Sequence, residues 1–126
     1  MGKQFYIGID NGPAPFNEFM EIAEAELNGR LMVFHLKKKW WDMIMNGIKD
    51  REYRGDKWDK YIEPFMYMDI QGFKLYVELD WGYPKKGDFS RKMFFCVSRI
   101  IKEESKKEIG GDGSIKWATY LGKRIL

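Results

Sequence analysis

The chain has 126 residues, 22 of them basic and 19 acidic, for a formal net charge of +3. That length holds one hydrophobic core and no second full one, and so small a surplus of charge cannot coat a nucleic acid without local clustering. A single cysteine excludes an internal disulfide, no apolar run approaches membrane length and no charged-then-apolar leader is present, so a reducing cytoplasm is the expected setting.

Residues 4–9 read as a short strand closed by the turn residues Asp10, Asn11, Gly12 and Pro13. A helix over residues 17–27 follows, capped by Asn17. Phe16, Phe19, Met20, Ile22, Ala23 and Leu27 form its apolar stripe, with Glu18, Glu21, Glu24 and Glu26 largely off it. Asn28 and Gly29 end it. Residues 1–30 thus read as an acidic strand-helix extension packed as a cover on residues 31–126, the two forming one compact unit.

Residues 31–36 are an apolar run of strand length, and Trp41, Ile44, Met45 and Ile48 then recur at the spacing of a helix face, predicting a helix over residues 38–46. Gly47 stands where a left-handed residue stops a helix, which places Met43 and Ile48 at the paired positions of a Schellman cap. Residues 49–54 alternate like a strand yet carry almost nothing apolar. With a period of two, Asp50, Glu52 and Arg54 point one way and Lys49, Arg51 and Tyr53 the other, leaving Glu52 and Arg54 roughly 7 Å apart. Two readings are open: a charged edge strand that resists edge-to-edge pairing, or a cleft lined by convergent charge.

Trp58, Tyr61 and Ile62 suggest one or two helical turns that Pro64 closes off. Residues 65–70 and 73–79 then read as a hairpin across Gln71 and Gly72, with Phe73, Leu75, Val77 and Leu79 facing the core and Lys74, Tyr76, Glu78 and Asp80 facing water or a ligand. The loop over residues 81–92 carries Tyr83 beside Lys85 and Lys86. A base can stack on such a ring while an ammonium meets a phosphate, although a basic loop is also simply well solvated. Residues 93–101 predict a central strand in which Cys96 is a buried, inert thiol. Residues 102–107 read as charged surface, and residues 109–114 as a glycine-rich connection without the lysine and spacing of a P-loop. Residues 115–120 and 121–126 finish the sheet, bent at Gly122. His35, the lone histidine, reads as structural. No His, Cys or carboxylate spacing suits a metal and no cofactor motif occurs, so neither a metal nor a cofactor is expected.

The run Gly47, Lys49, Glu52 and Arg54, preceded by Trp41 and Ile44, resembles the ASCH domain family of PUA-like barrels. Gly82-Tyr83, Gly110-Gly111 ahead of Trp117, and Leu121-Gly122-Lys123 are similar to the family's later landmarks, so the likeness spans residues 31–126 and leaves residues 1–30 outside. It implies an α+β fold, a PUA-like small mixed β-barrel of about five or six strands with two principal helices, and a cleft for RNA or a modified nucleoside lined by the Lys, Glu and Arg. The segment between Trp117 and the final Leu-Gly-Lys is shorter than in those relatives. Some relatives resemble amidohydrolases of acylated cytidine, with a Lys, a hydroxyl three residues later and a downstream Glu. Here Lys49 matches, and Glu52 stands in the hydroxyl position. Others resemble ribonucleases, whose proton-transfer and charge-stabilising roles Lys49, Glu52, Arg54 and Tyr83 can fill.

The expectation is therefore a monomeric RNA- or nucleoside-binding module, not bound to membrane or metal, with ligand contacts from Lys49, Glu52, Arg54, Trp41, Tyr83, Lys85 and Lys86. The alternative is a hydrolase of RNA or acylated nucleosides in which Lys49 and Glu52 are the catalytic residues, and a protein-interaction module is the third reading.

Overall fold

In the computed structural model, which describes residues 13–126, five strands form one curled half-barrel sheet accompanied by three α-helices. The chain order is α1 (Pro13–Leu27), β1 (Leu31–Leu36), α2 (Lys38–Met45), β2 (Arg51–Arg54), α3 (Asp59–Ile70), β3 (Tyr76–Trp81), β4 (Lys92–Glu104) and β5 (Ile115–Arg124). Across the sheet the strands run β1-β3-β4-β5-β2. The β1–β3 pair is parallel and the other three are antiparallel, so the fold is mixed and α+β as expected. The strand expected over residues 4–9 lies outside the described residues.

Local chemistry accounts for the β1–α2–β2 passage. Gly47 takes a φ of 75°, its N–H donates to the Ile44 carbonyl at 3.1 Å, and the Ile48 N–H donates to the Met43 carbonyl at 2.8 Å. Those are the two bonds of a Schellman cap, and only a residue without Cβ adopts that φ without strain. The cap turns the chain out of α2 so that β2 begins after two residues.

The sheet has two buried faces. On the inner one, Met32, Phe34 and Leu36 of β1, Val77 and Leu79 of β3, Met93 and Ile100 of β4 and Trp117 of β5 pack against Trp41 and Ile44 of α2 and Ile62 and Phe65 of α3. On the outer one, Tyr76, Phe94, Cys96 and Ile125 pack under Ile22 and Ala25 of α1.

Several expectations are corrected. Residues 65–70 are helical, the hairpin with residues 73–79 does not form, and β3 begins only at Tyr76. There are thus three principal helices among the described residues instead of two. Pro64 sits inside α3 and does not end a helix. Its cost there is about 3 kcal/mol, while burying Ile62 and Phe65 contributes about 1.5–3 kcal/mol each, so packing overrides the local stop signal. α1 spans Pro13–Leu27, so Asn17 lies inside the helix and does not cap its start. The face of β3 expected to meet water or a ligand is covered in part: Tyr76 and Asp80 are buried, whereas Glu78 is half-buried and lines a cavity, and Lys74 is exposed. β5 runs as one strand through Gly122, and the ladder to β4 is irregular there: between Phe95 and Val97 the extra residue is on β5, at Gly122 and Lys123, and between Val97 and Arg99 it is on β4.

Candidate functional site

β2 is an edge strand of the sheet, yet its charges do not decorate an exposed edge. Glu52 pairs with Thr119 and Arg54 with Trp117 across the β2–β5 ladder, and directly opposed residues share a face, so Glu52 and Arg54 project into the half-barrel. Lys49 and Glu52 are 3% and 7% exposed. The period-two alternation assigned to residues 49–54 starts too early: Lys49 and Asp50 precede the strand, and the turn after the α2 cap brings the Lys49 side chain back to the side of Glu52.

Lys49 Nζ lies 3.3 Å from Glu52 Oε1 and donates to the Ile109 carbonyl. The other carboxylate oxygen, Glu52 Oε2, accepts from Arg54 Nη1. Arg54 is also braced by the Tyr53 carbonyl at 2.9 Å and the His35 carbonyl at 3.3 Å. The walls are aromatic. The Arg54 guanidinium lies 4.6 Å from the Phe34 ring centroid and 5.2 Å from that of Trp58, and the Lys49 amine lies 5.5 Å from the centroids of both Trp40 and Tyr53. Burial holds the Lys49 amine below its ordinary pKa, against the opposing pull of Glu52. The backbone at Gly110, with φ of 104°, passes so close that a Cβ there would stand 3.2 Å from Lys49 Nζ and 3.7 Å from the Trp40 ring. Glycine is what lets the 109–114 loop close over the lysine.

The other expected contact residues divide into three places. Trp41 is in the core, its indole N–H donating to the Leu79 carbonyl at 3.0 Å, and it is Trp40 that faces Lys49. Tyr83 is highly exposed and stacks on His35 at a centroid distance of 4.1 Å. It reaches the cluster through the His35 carbonyl that Arg54 holds. Lys85 and Lys86 are exposed, and neither touches Lys49, Glu52 or Arg54 among the described residues. Lys86 lines a separate cavity of about 260 Å³ between α1 and the outer face, with Phe19, Ile22, Phe89 and the Glu78–Lys92 ion pair.

Sequence reasoning missed two groups. Asp80 is buried with its Oδ1 unpaired, 3.5 Å from Lys92 Nζ and 3.8 Å from His35 Nδ1 through Oδ2, and its pKa is pushed up to about 7 by burial and by the neighbouring Glu78. An acidic residue two positions after Glu78 in an otherwise apolar strand was the available signal. Thr119 is buried with its hydroxyl unpaired. Nothing near it in the chain announces this, because its neighbour Glu52 comes from a distant strand.

Among the described residues, no three His, Cys, Asp or Glu side chains assemble as a metal site requires, and no helix is long and apolar enough to cross a membrane. Compared with protein-family models, with curated proteins and with solved structures, the chain matches none of them.

Proposed function

We propose that the protein is an RNA- or nucleoside-binding module of the ASCH, PUA-like type, whose ligand enters the half-barrel at Lys49, Glu52 and Arg54. One observation carries this reading: two cations share a single carboxylate in a buried, aromatic setting, and neither is paired with a second carboxylate among the described residues. The net positive charge that results is poorly screened there, and an electron-rich or anionic ligand offsets it. The ring faces of Trp40 and Trp58 suit a base, and the exposed Tyr83 stacked on His35 offers a platform for a second base of a strand. The resemblance of Gly47, Lys49, Glu52 and Arg54 to the family motif adds independent support.

Titration of cytidine, uridine, their 5′-monophosphates and a short single-stranded RNA, followed by tryptophan fluorescence, tests it. Saturable binding that weakens about tenfold or more in Lys49→Ala and Arg54→Ala, with the fold retained, is the expected result. No binding at millimolar ligand, or full binding by both variants, refutes it.

A hydrolase reading rests on a different observation, the depressed amine of Lys49 beside a carboxylate, since a lysine that sheds its proton more readily can serve as a base. Turnover of RNA or an acylated nucleoside that disappears in Lys49→Ala separates it from binding alone.

A further inference from the structure

Thr119 Oγ1 is among the few buried side-chain polar atoms of the described residues that make no hydrogen bond. The residue is 1% exposed and lies on β5 directly across from Glu52 on one side and from Ile100 on the other. Opposed residues in an antiparallel ladder share a face with Cβ atoms roughly 4.5–5.5 Å apart, so the Thr119 side chain lies on the same inner face as Glu52, without a hydrogen bond to it. A hydroxyl in such a place costs stability unless it is paired. Valine has the same shape, suits a strand equally well and would leave nothing unpaired.

The three groups form a definite pattern. Lys49 is donor only. Glu52 is acceptor only, and with one donor on each oxygen it keeps lone pairs to spare. Thr119 has its donor uncommitted. Two donors and one acceptor buried on one face of the sheet complement a planar edge that carries two carbonyls and an N–H. The Lys49 amine already shows the preference, because a backbone carbonyl, that of Ile109, is what it holds now. A ligand carbonyl would take the place of that contact as the 109–110 backbone moves aside.

We propose that Thr119 is a recognition residue of this site and that, with Lys49 and Glu52, it selects a cyclic imide edge, an N–H flanked by two carbonyls as on a uracil-type base. The proposal rests on the nucleoside reading above and narrows it. Cytosine presents a bare ring nitrogen where the imide presents N–H, so it sets a lone pair against the Glu52 carboxylate. Methylation of the imide nitrogen removes the donor and adds bulk at the same point.

The test is calorimetric titration of uridine, cytidine and 3-methyluridine into the full chain and into Thr119→Val, Thr119→Ser and Lys49→Ala, with a thermal melt of each. Uridine should bind the unaltered chain about tenfold or more tighter than the other two nucleosides. Thr119→Val should lose that advantage while melting no lower, and Thr119→Ser, which keeps the hydroxyl, should retain it. Equal binding of uridine and cytidine, or a Thr119→Val variant that binds uridine normally, overturns the proposal while leaving the nucleoside site intact if Lys49→Ala still abolishes binding. Absence of binding by all three nucleosides overturns both. Should Thr119→Val fail to fold, the comparison of the three nucleosides on the unaltered chain and on Thr119→Ser still decides.

Discussion

Glu52→Gln keeps the shape of the side chain and removes only its charge, which makes it the sharpest probe of the buried cluster. With Lys49 Nζ 3.3 Å from Glu52 Oε1, the attraction of that pair alone is about 5 kcal/mol at an effective dielectric of ~20. Arg54 draws on the same carboxylate. Neutralising Glu52 therefore strands two cations beside each other away from water, and removing one partner of a buried pair typically costs about 3–5 kcal/mol. Lys49→Met is the contrasting case. It keeps most of the aliphatic stem, ends the burial of an amine, and leaves Glu52 paired with Arg54, so it should cost about 1 kcal/mol or less. In urea unfolding at pH 7, Glu52→Gln should lower the midpoint strongly, and in a thermal melt the loss corresponds to about 10–20 °C for a chain of this size. The double variant should be more stable than Glu52→Gln alone, because one stranded charge is gone. If Glu52→Gln costs less than about 1 kcal/mol, or if Lys49→Met is as damaging, the cluster is well hydrated in solution and the reasoning fails.

Asp80 titrates in the folded protein near 7, above its unfolded value, so between about pH 4 and 7 the folded state keeps a proton that the unfolded chain has lost. Stability contributed by Asp80 is complete below pH 4 and falls as pH rises to 7. Asp80→Asn should be increasingly the more stable protein across that window, by up to about 4 kcal/mol at pH 8, and parallel urea curves for the two proteins would contradict this. Pro64→Ala should restore a helical N–H at an exposed position of α3 and raise stability by about 1–3 kcal/mol, checked by the unfolding midpoint. Lys85→Ala with Lys86→Ala should weaken single-stranded RNA and flatten its salt dependence while leaving mononucleoside affinity unchanged, since these lysines lie apart from the Lys49 cluster. A loss of nucleoside affinity in that variant would place the two regions in one site.

What could be read from the residues alone was what local physics controls. The apolar run of β1, the helical spacing of Trp41 and Ile44 and the Gly47 stop all lie within one short stretch and agree with one another. α3 was hidden because Phe65, Met66, Tyr67 and Ile70 fit a strand as well as a helix and Pro64 points to an ending; only the inner sheet face under Ile62 and Phe65 decides for helix. The convergence of Glu52 and Arg54 was visible from alternation, but the place of Lys49 depends on the turn geometry after α2. Choosing Trp41 over Trp40 as the site aromatic followed the helix periodicity, which marks the core face and says nothing of the neighbouring face turned toward Lys49. Alternation places Asp80 on the face of β3 that meets water or a ligand, and its burial beside His35 and Lys92 is a tertiary fact. Thr119 was beyond reach because the strand that brings Glu52 opposite it is distant in the chain.

The pairing of β2 with β5 also sets an order of events. β4 and β5 are neighbours in the chain and can meet early, whereas β2 must wait for a strand that emerges long after it during synthesis. Until Ile115–Arg124 is available, Lys49, Glu52 and Arg54 remain in water, where hydrated charges keep an unpaired edge from capturing other strands. Desolvation of the cluster is thus among the final steps of folding, and pulse-labelled hydrogen exchange should protect the β4–β5 amides before those of β2. A nascent chain halted before Ile115 would carry every charge of the site and still have no site at all.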